Sequence, residues 1–433
     1  MMKTGFKHLC YFLLIAMLLS IAASPAYAAT TGRNGAFSYS MRGNGTLTIT
    51  KFDWTSYQKN TDIVIPQMID GYTVTAIGDL AFSQGDIVVG DGVPELPDRK
   101  YEAKDAVLII PNTVTTVGTK AFFNSGIGRV NIPASVNSIG TAAFCTGCLK
   151  NATVQQGNER YAAIEGALYD KKAKELLAFA LDATAVPEGI VSLGEFSCMN
   201  WNASSERNSS EANNLFPSSL ETIKDFAMWN STMSSSAASY NQIVIRAKRV
   251  GAYAFARTTL HGRFSFDLTE MGIGAFYGAV CFGELDLGWL QEIPERAFAY
   301  ASVYQGTVRG MIWLQRITII GKESFMKSYI SDCYWNYAKI RIIKDRAFKG
   351  AEKAMMNTPL EHLEYIGEEA FQSEKYNEEM TIPASCTFIG DNAFNKKVKL
   401  KVTPGSYAET WAQENGYEYD NGIEQDLSWL GQN

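Results

Sequence analysis

Ile77-Gly78-Asp79-Leu80-Ala81-Phe82 is the first of twelve copies of one six-slot phrase: an aliphatic residue, usually Gly, two variable residues, Ala or Ser, then usually Phe. Later copies end at Phe122, Phe144, Cys198, Met228, Phe255, Phe276, Phe298, Phe325, Phe348, Phe371 and Phe394. Self-similarity of this kind marks a repeat array, because a single repeat cannot bury its apolar face alone. The sixth slot returns every 23 residues from Phe325 to Phe394 and every 21 or 22 from Phe255 to Phe298. A coil of that length holds one short strand, a turn and a return segment, the unit of a solenoid. Two intervals are longer. The 40 residues from Phe82 to Phe122 include the polar stretch Gly85 to Asp105, read as a loop inserted near 85–105. The 54 residues from Phe144 to Cys198 suffice for two coils, and Gly166-Ala-Leu-Tyr-Asp170, Lys171-Lys172 and Leu176-Leu-Ala-Phe179 predict a hairpin-bearing coil near 160–182 without its own phrase.

Stacking explains the residue types, since an inward side chain meets its own kind above and below. Phe82, Phe122, Phe144, Phe255, Phe276, Phe298, Phe325, Phe348, Phe371 and Phe394 are expected to form a structural spine. Each hides about 1.5–3 kcal/mol of apolar surface. Gly fills the second slot in nine copies but Pro294 occupies it once, and Pro fixes φ near −65°, so crowding explains that Gly better than left-handed backbone does. The two variable slots are read as outward. An apolar residue plus Pro precedes the sixth slot in five copies, at Ile110-Pro111, Ile132-Pro133, Val186-Pro187, Phe216-Pro217 and Ile382-Pro383. Pro ends a strand but cannot donate within one, so Val107–Ile110 and Val130–Ile132 are expected strands.

With strand, Ile-Pro exit and phrase in place, the chain resembles the BspA-like family of leucine-rich repeat proteins. Ile132-Pro-Ala-Ser-Val-Asn-Ser-Ile-Gly-Thr-Ala-Ala-Phe144 and Ile382-Pro-Ala-Ser-Cys-Thr-Phe-Ile-Gly-Asp-Asn-Ala-Phe394 carry that resemblance. It extends to an opening β segment (Phe37-Ser-Tyr39, Gly45-Thr-Leu-Thr-Ile49, Ile63-Val-Ile-Pro66, Asp70-Gly-Tyr-Thr-Val74) and a closing helix within Pro404–Gly416. The expected fold is an α/β repeat, a right-handed leucine-rich-repeat solenoid of about 13 coils over 76–403, with an N-terminal β cap over 29–75, a C-terminal cap helix over 404–419 and a tail over 420–433. The resemblance implies a noncatalytic binding or adhesion protein of bacterial type acting on extracellular proteins or other cells. A scaffold alone does not fix function.

The first residues point to export. Lys3 and Lys7 precede the apolar run Leu9 to Ala23, and Ala26-Tyr27-Ala28 has the small-x-small pattern, so residues 1–28 are read as a signal peptide cleaved after Ala28. The run is shorter than the roughly 20 residues a membrane span needs. A secreted or cell-surface protein without a span after cleavage is expected. Removing Lys3 and Lys7 leaves 37 basic and 45 acidic residues, a net charge of −8. That balance does not favour nucleic acid or anionic lipid. Arg246-Ala-Lys-Arg249 and Lys396-Lys-Val-Lys-Leu-Lys401 are read as solvated faces.

Six Cys remain after processing. Cys198 replaces Phe in the spine, and Cys148 stands four residues after Phe144, where the family commonly carries a buried Cys. Cys145-Thr-Gly-Cys148 has redox or zinc spacing but lacks a second ligand pair, so buried thiols or one local disulfide are expected, with no metal. The remaining histidines, His261 and His362, begin no metalloprotease motif, and no nucleophile elbow or phosphate loop occurs. Pairs such as Glu368-Glu369 are read as surface charge. Neither an enzyme nor a cofactor is expected.

Binding needs no concentrated motif, because stacked coils present a long sheet face. Aromatics outside the spine gather toward the C-terminal half at Trp289, Tyr300, Tyr304, Trp313, Tyr334, Trp335 and Tyr337. Trp313, Tyr334, Trp335 and Tyr337 are the candidate binding residues, since Tyr and Trp are favoured at recognition surfaces. The expected partner is an extracellular protein, with a glycan or, less favoured, hydrolysis of an extracellular polymer as alternatives; the expected state is a monomer.

Overall fold

The computed structural model describes residues 30–90, 93–203, 215–234, 242–304, 311–314, 316–331, 333–334, 339–352, 360–374 and 379–422. Most strands are short and most pairings parallel. The first slots of successive phrases lie in register, as in Ile77–Val117–Ile139 and Ile293–Ile320–Ile343–Ile366–Ile389. Most of these strands bury the first-slot aliphatic residue and leave its predecessor more exposed, the period of two that a pleated strand imposes, with the buried Ala76 and the half-buried Ile139 as exceptions. A second parallel set lies upstream, with Val107–Ile109, Arg129–Ile132 and Asn151–Val154 side by side. The first two end just before Pro111 and Pro133, which cannot donate to the ladder.

Antiparallel pairing occurs where the repeat breaks down. Thr31–Asn34, Phe37–Arg42 and Thr46–Phe52 form a meander whose last strand passes into parallel register with Tyr72–Ile77. The insertion after Phe82 carries a two-stranded hairpin, Val88–Gly90 with Val93–Glu95. Tyr161–Ile164, Ala167–Asp170 and Glu175–Ala178 form two successive hairpins, and the last strand rejoins the parallel array beside Ser192–Leu193. One α-helix lies among the described residues, Tyr407–Glu414, with Ser406 Oγ accepting from the Glu409 N–H and Glu409 accepting from the Gly405 N–H.

The ten phenylalanines of the sixth slot are all buried. Phe255, Phe276, Phe298, Phe325, Phe348, Phe371 and Phe394 form one column of rings, nearly parallel, with centroids 5.1–5.6 Å apart. Phe82, Phe122 and Phe144 make a shorter column at 4.7 and 5.2 Å. Cys198 and Met228 fill the same slot between the columns. In those two repeats the fourth slot supplies the ring instead: Phe196 stacks on Phe226 at 4.8 Å and 5°, Phe226 on Tyr253 at 5.3 Å, and Phe196 meets Phe123 at 4.7 Å. The ends of the columns are also covered by rings. Phe52 stacks on Phe82 at 4.9 Å, while Trp411 and Tyr417 meet Phe394 edge-on.

The backbone sets the spacing of these columns. The second-slot N–H donates to the first-slot carbonyl of the preceding repeat, as from Gly118 to Ile77, Gly251 to Ile223 and Gly367 to Ile343, each at 2.8 Å. The sixth-slot N–H donates forward to the fifth-slot carbonyl of the next repeat, as from Phe348 to Ala370 at 2.7 Å. Gly in the second slot follows from crowding. A Cβ on Gly367 would lie 2.4 Å from the Asp345 backbone nitrogen, and one on Gly140 2.5 Å from that of Thr119.

The left-handed residue of the phrase is the fourth. Eleven non-glycine residues there have φ between 51° and 57°, and Gly274 completes the set at 61°. The reading of slots three and four as outward is corrected on the same grounds. Phe196, Tyr253 and Glu323 in slot four are buried. In slot three the carboxylates of Asp79, Asp225 and Asp345 accept the backbone N–H of the next repeat's third slot at 2.7–3.0 Å. Asp345 is therefore a link between repeats. Replacing Phe348 by Ala is expected to cost about 3–5 kcal/mol. Asp345→Ala is expected to cost about 0.5–1.5 kcal/mol, the worth of one hydrogen bond, and denaturation midpoints of the two variants measure both.

Candidate binding face

The longest repeat strands are Thr259–Phe266 and Val280–Asp286, which lie parallel over seven residue pairs. Their alternate residues Leu260, Phe264, Phe266, Cys281 and Leu285 are buried, which turns His261, Arg263 and Ser265 outward beside Phe282, Glu284 and Asp286. The inward pair between them is Gly262 with Gly283, and a Cβ on Gly283 would lie 2.0 Å from the Gly262 carbonyl oxygen. Only glycine permits that approach, so this stretch of sheet is held flush by backbone rather than spread by side chains. Ser302–Tyr304 extends the face from one half of Val280–Asp286 and Met311–Trp313 from the other.

An aromatic ladder runs along the outer side of this sheet. His261 stacks on Phe282 at 4.9 Å and 13°, Phe282 on Tyr304 at 5.6 Å and 22°, and Tyr304 on Tyr329 at 5.3 Å and 29°. Phe282 is 36% exposed and Tyr304 40%. The planes face one another along the stacking direction, so the sheet presents a row of ring edges to solvent. Beside the ladder Arg263 pairs with Glu284 at 3.2 Å. One step further Ser265, Asp286, Trp313 and Tyr334 lie in a single register row.

Of the four candidate residues from the sequence, Trp313 is half-buried on this outer side and Tyr334 is its register partner. Trp335 and Tyr337 lie outside the described residues. Tyr304 belongs to the ladder, whereas Tyr300 lies 5.4 Å from Tyr277 in a turn. His261, Phe282 and Tyr329 were not singled out by sequence reading. Their signal was present, because His261, Phe282 and Tyr304 are spaced by 21 and 22 residues, the length of the repeat itself.

The motif profile of the BspA type leucine rich repeat region matches in six copies, over residues 101–169, 206–305 and 269–401, more than half of the chain. The chain belongs to the BspA-type leucine-rich repeat family. Similar solved structures include a leucine-rich repeat protein from Eubacterium ventriosum, at 16% identity over 81% of this chain and 96% of that one, with a TM-score of 0.47. A leucine rich cell surface protein from Faecalibacterium prausnitzii is 16% identical over 93% and 97%, with a TM-score of 0.41. A leucine-rich repeat protein from Bacteroides ovatus is 18% identical over 86% and 98%, with a TM-score of 0.39. No curated protein matches significantly. Among the described residues no helix is long and apolar enough to cross a membrane.

Two features of this BspA-type array bear on chemistry. Its six described cysteines are free thiols. Burial pushes Cys198 and Cys281 up to about 12 and Cys145 well above its ordinary value. Cys148, expected to be buried, is half-buried with its sulfur 3.1 Å from the Arg99 guanidinium, because the insertion after Phe82 folds back over it. Its thiol is also raised, by burial that outweighs Arg99, so neither member of the C-x-x-C pair is a ready thiolate at neutral pH.

The second feature is an ionic ladder in the fourth slot, where the BspA-type repeats switch from aromatic to charged. Glu323, only 5% exposed, accepts from Arg296 Nε at 2.6 Å and from Arg346 Nε at 2.9 Å. Burial by itself raises the Glu323 carboxyl, and the two guanidinium groups outweigh it, leaving the pKa below the ordinary 4.5. A carboxylate lowered on folding contributes stability above its unfolded pKa and loses it as pH falls through the folded one. Glu323→Gln is accordingly expected to cost about 1–3 kcal/mol near neutral pH. Urea midpoints of protein and variant should converge as the pH drops below 4.5.

Proposed function

We propose that this protein is an exported, noncatalytic binding or adhesion scaffold, a right-handed solenoid that engages an extracellular protein through the outer sheet face around Phe282 and Tyr304. The observation that carries this reading is the ladder His261–Phe282–Tyr304–Tyr329, four stacked rings with two of them more than a third exposed. Rigid aromatic groups flanked by paired charges are the anchors at which protein partners concentrate binding energy. Export is supported by the leader pattern of residues 1–28, which lie outside the described residues, and by the surface character of the family.

A protein partner is favoured over a glycan on this face by the ring geometry. A sugar stacks on an open aromatic face, and each inner ring of the ladder has its faces covered by its neighbours. What remains open is ring edge, which suits apolar and aromatic side chains of a partner protein. The purified mature chain should be screened against extracellular matrix proteins. For whichever protein binds, Phe282→Ala combined with Tyr304→Ala should lose about 2 kcal/mol or more of binding energy while the unfolding midpoint moves little. Unchanged binding would reject the face.

The proposed solenoid is closed by residues 29–75 at one end and by 404–419 at the other. Support comes from Phe52 over Phe82 and from Trp411 and Tyr417 over Phe394, which place aromatic cover on the last ring of each column. Without such cover, apolar surface and open strand edges invite association. Deleting residues 404–433 is expected to yield aggregates on size-exclusion chromatography, and a monodisperse truncation of equal stability would contradict the closing role.

A further inference from the structure

Apart from the sheet face, one groove in the described residues joins an open aromatic ring to a balanced set of polar groups. It lies between Glu270–Met271, the segment Trp289–Glu295, and residues from the next two repeats, and encloses about 1030 Å³. Trp289 on its wall is 53% exposed, unusual for the largest side chain in a molecule whose other rings are mostly covered. The Arg316 guanidinium lies 3.6 Å from the Trp289 ring centroid, so one face of the indole is occupied and its exposure falls on the other face and the edge. Here, unlike in the ladder, no second aromatic ring among the described residues is stacked on the indole.

The charges around Trp289 cancel. Lys344 Nζ pairs with Glu292 at 2.8 Å. The remaining lining residues Glu270 and Glu295 are equal in number to Arg316 and Lys322, and Gln291 contributes both a donor and an acceptor. Such a lining suits a ligand with an apolar face and many hydroxyls that each donate and accept, and gives no advantage to an anion. The volume is at the upper end for small-molecule sites, room for more than one sugar ring.

We propose that this groove is a second binding site, which takes a short neutral oligosaccharide stacked on Trp289. It stands independently of the protein-binding face. The test uses the full mature chain, titrated calorimetrically with short neutral glucose-, mannose- and xylose-based oligosaccharides and, in parallel, with a sulfated oligosaccharide and an acidic peptide. The expected result is millimolar or tighter binding of at least one neutral oligosaccharide, weakened tenfold or more, about 1.4 kcal/mol, by Trp289→Ala and much less by Trp289→Phe. Phe282→Ala with Tyr304→Ala should leave that affinity unchanged, which separates failure here from failure of the sheet face. The assignment is overturned if no neutral oligosaccharide binds at about 10 mM, if only the sulfated oligosaccharide or the peptide binds, or if Trp289→Ala leaves the affinity intact with the same unfolding midpoint.

Discussion

The structure depends on the match between two spacings along the direction in which repeats stack. Parallel strands lie about 4.8 Å apart, and the rings of the sixth slot lie 5.1–5.6 Å apart from Phe255 to Phe394. Backbone rungs fix the first distance, so a ring repeated in the same slot has no choice but to stack. Most repeats contribute one rung backward from the second slot and one forward from the sixth. The phrase is thus a device for holding backbone and ring column in the same register, and substitutions within it are felt through the neighbour rather than within the repeat.

The tolerance of that device is visible where it is violated. Pro294 has no N–H to give, and its repeat forgoes the second-slot rung while the forward rung from Phe298 to Ser324 remains at 2.7 Å. Cys198 and Met228 leave the ring column without a ring, and in the same two repeats Phe196 and Phe226 build a parallel column from the fourth slot. Aromatic area is conserved across the gap by moving it two residues along the chain. From Arg296 to Glu369 the fourth slot carries charge, and the ladder Arg296–Glu323–Arg346 replaces stacked rings with shared ion pairs. One backbone position with a left-handed φ therefore serves both aromatic and charged side chains.

The same stacking logic separates the two proposed binding surfaces. On the sheet face the repeat puts aromatic residues opposite one another, and their faces are consumed by self-stacking. At Trp289 the repeat puts an indole opposite no other aromatic among the described residues, with a guanidinium on one face. Edge-presenting and face-presenting aromatics call for different partners, and a repeat protein can offer both because each side of a coil is decorated independently.

The phrase between Ile77 and Phe394 determined the repeat, its family, the buried column and the crowding that selects Gly in the second slot. All of these depend on a residue meeting its own equivalent, and a periodic sequence displays its equivalents openly. The hairpins near 160–182 and the helix opened by Ser406 were legible for a related reason, since turn and cap chemistry are local. Only the tertiary structure decided that the fourth slot is the left-handed one, because its occupants range from Phe196 to Asn392 and share no side-chain property. It also decided that Asp345 reaches the next repeat and that His261 stacks on Phe282, contacts set by the offset between coils. Trp313 and Trp289 read alike as aromatics outside the spine, and which is half-covered in a register row and which stands open beside Arg316 depends on strand phase and on residues a repeat away, where sequence periodicity carries no information about facing.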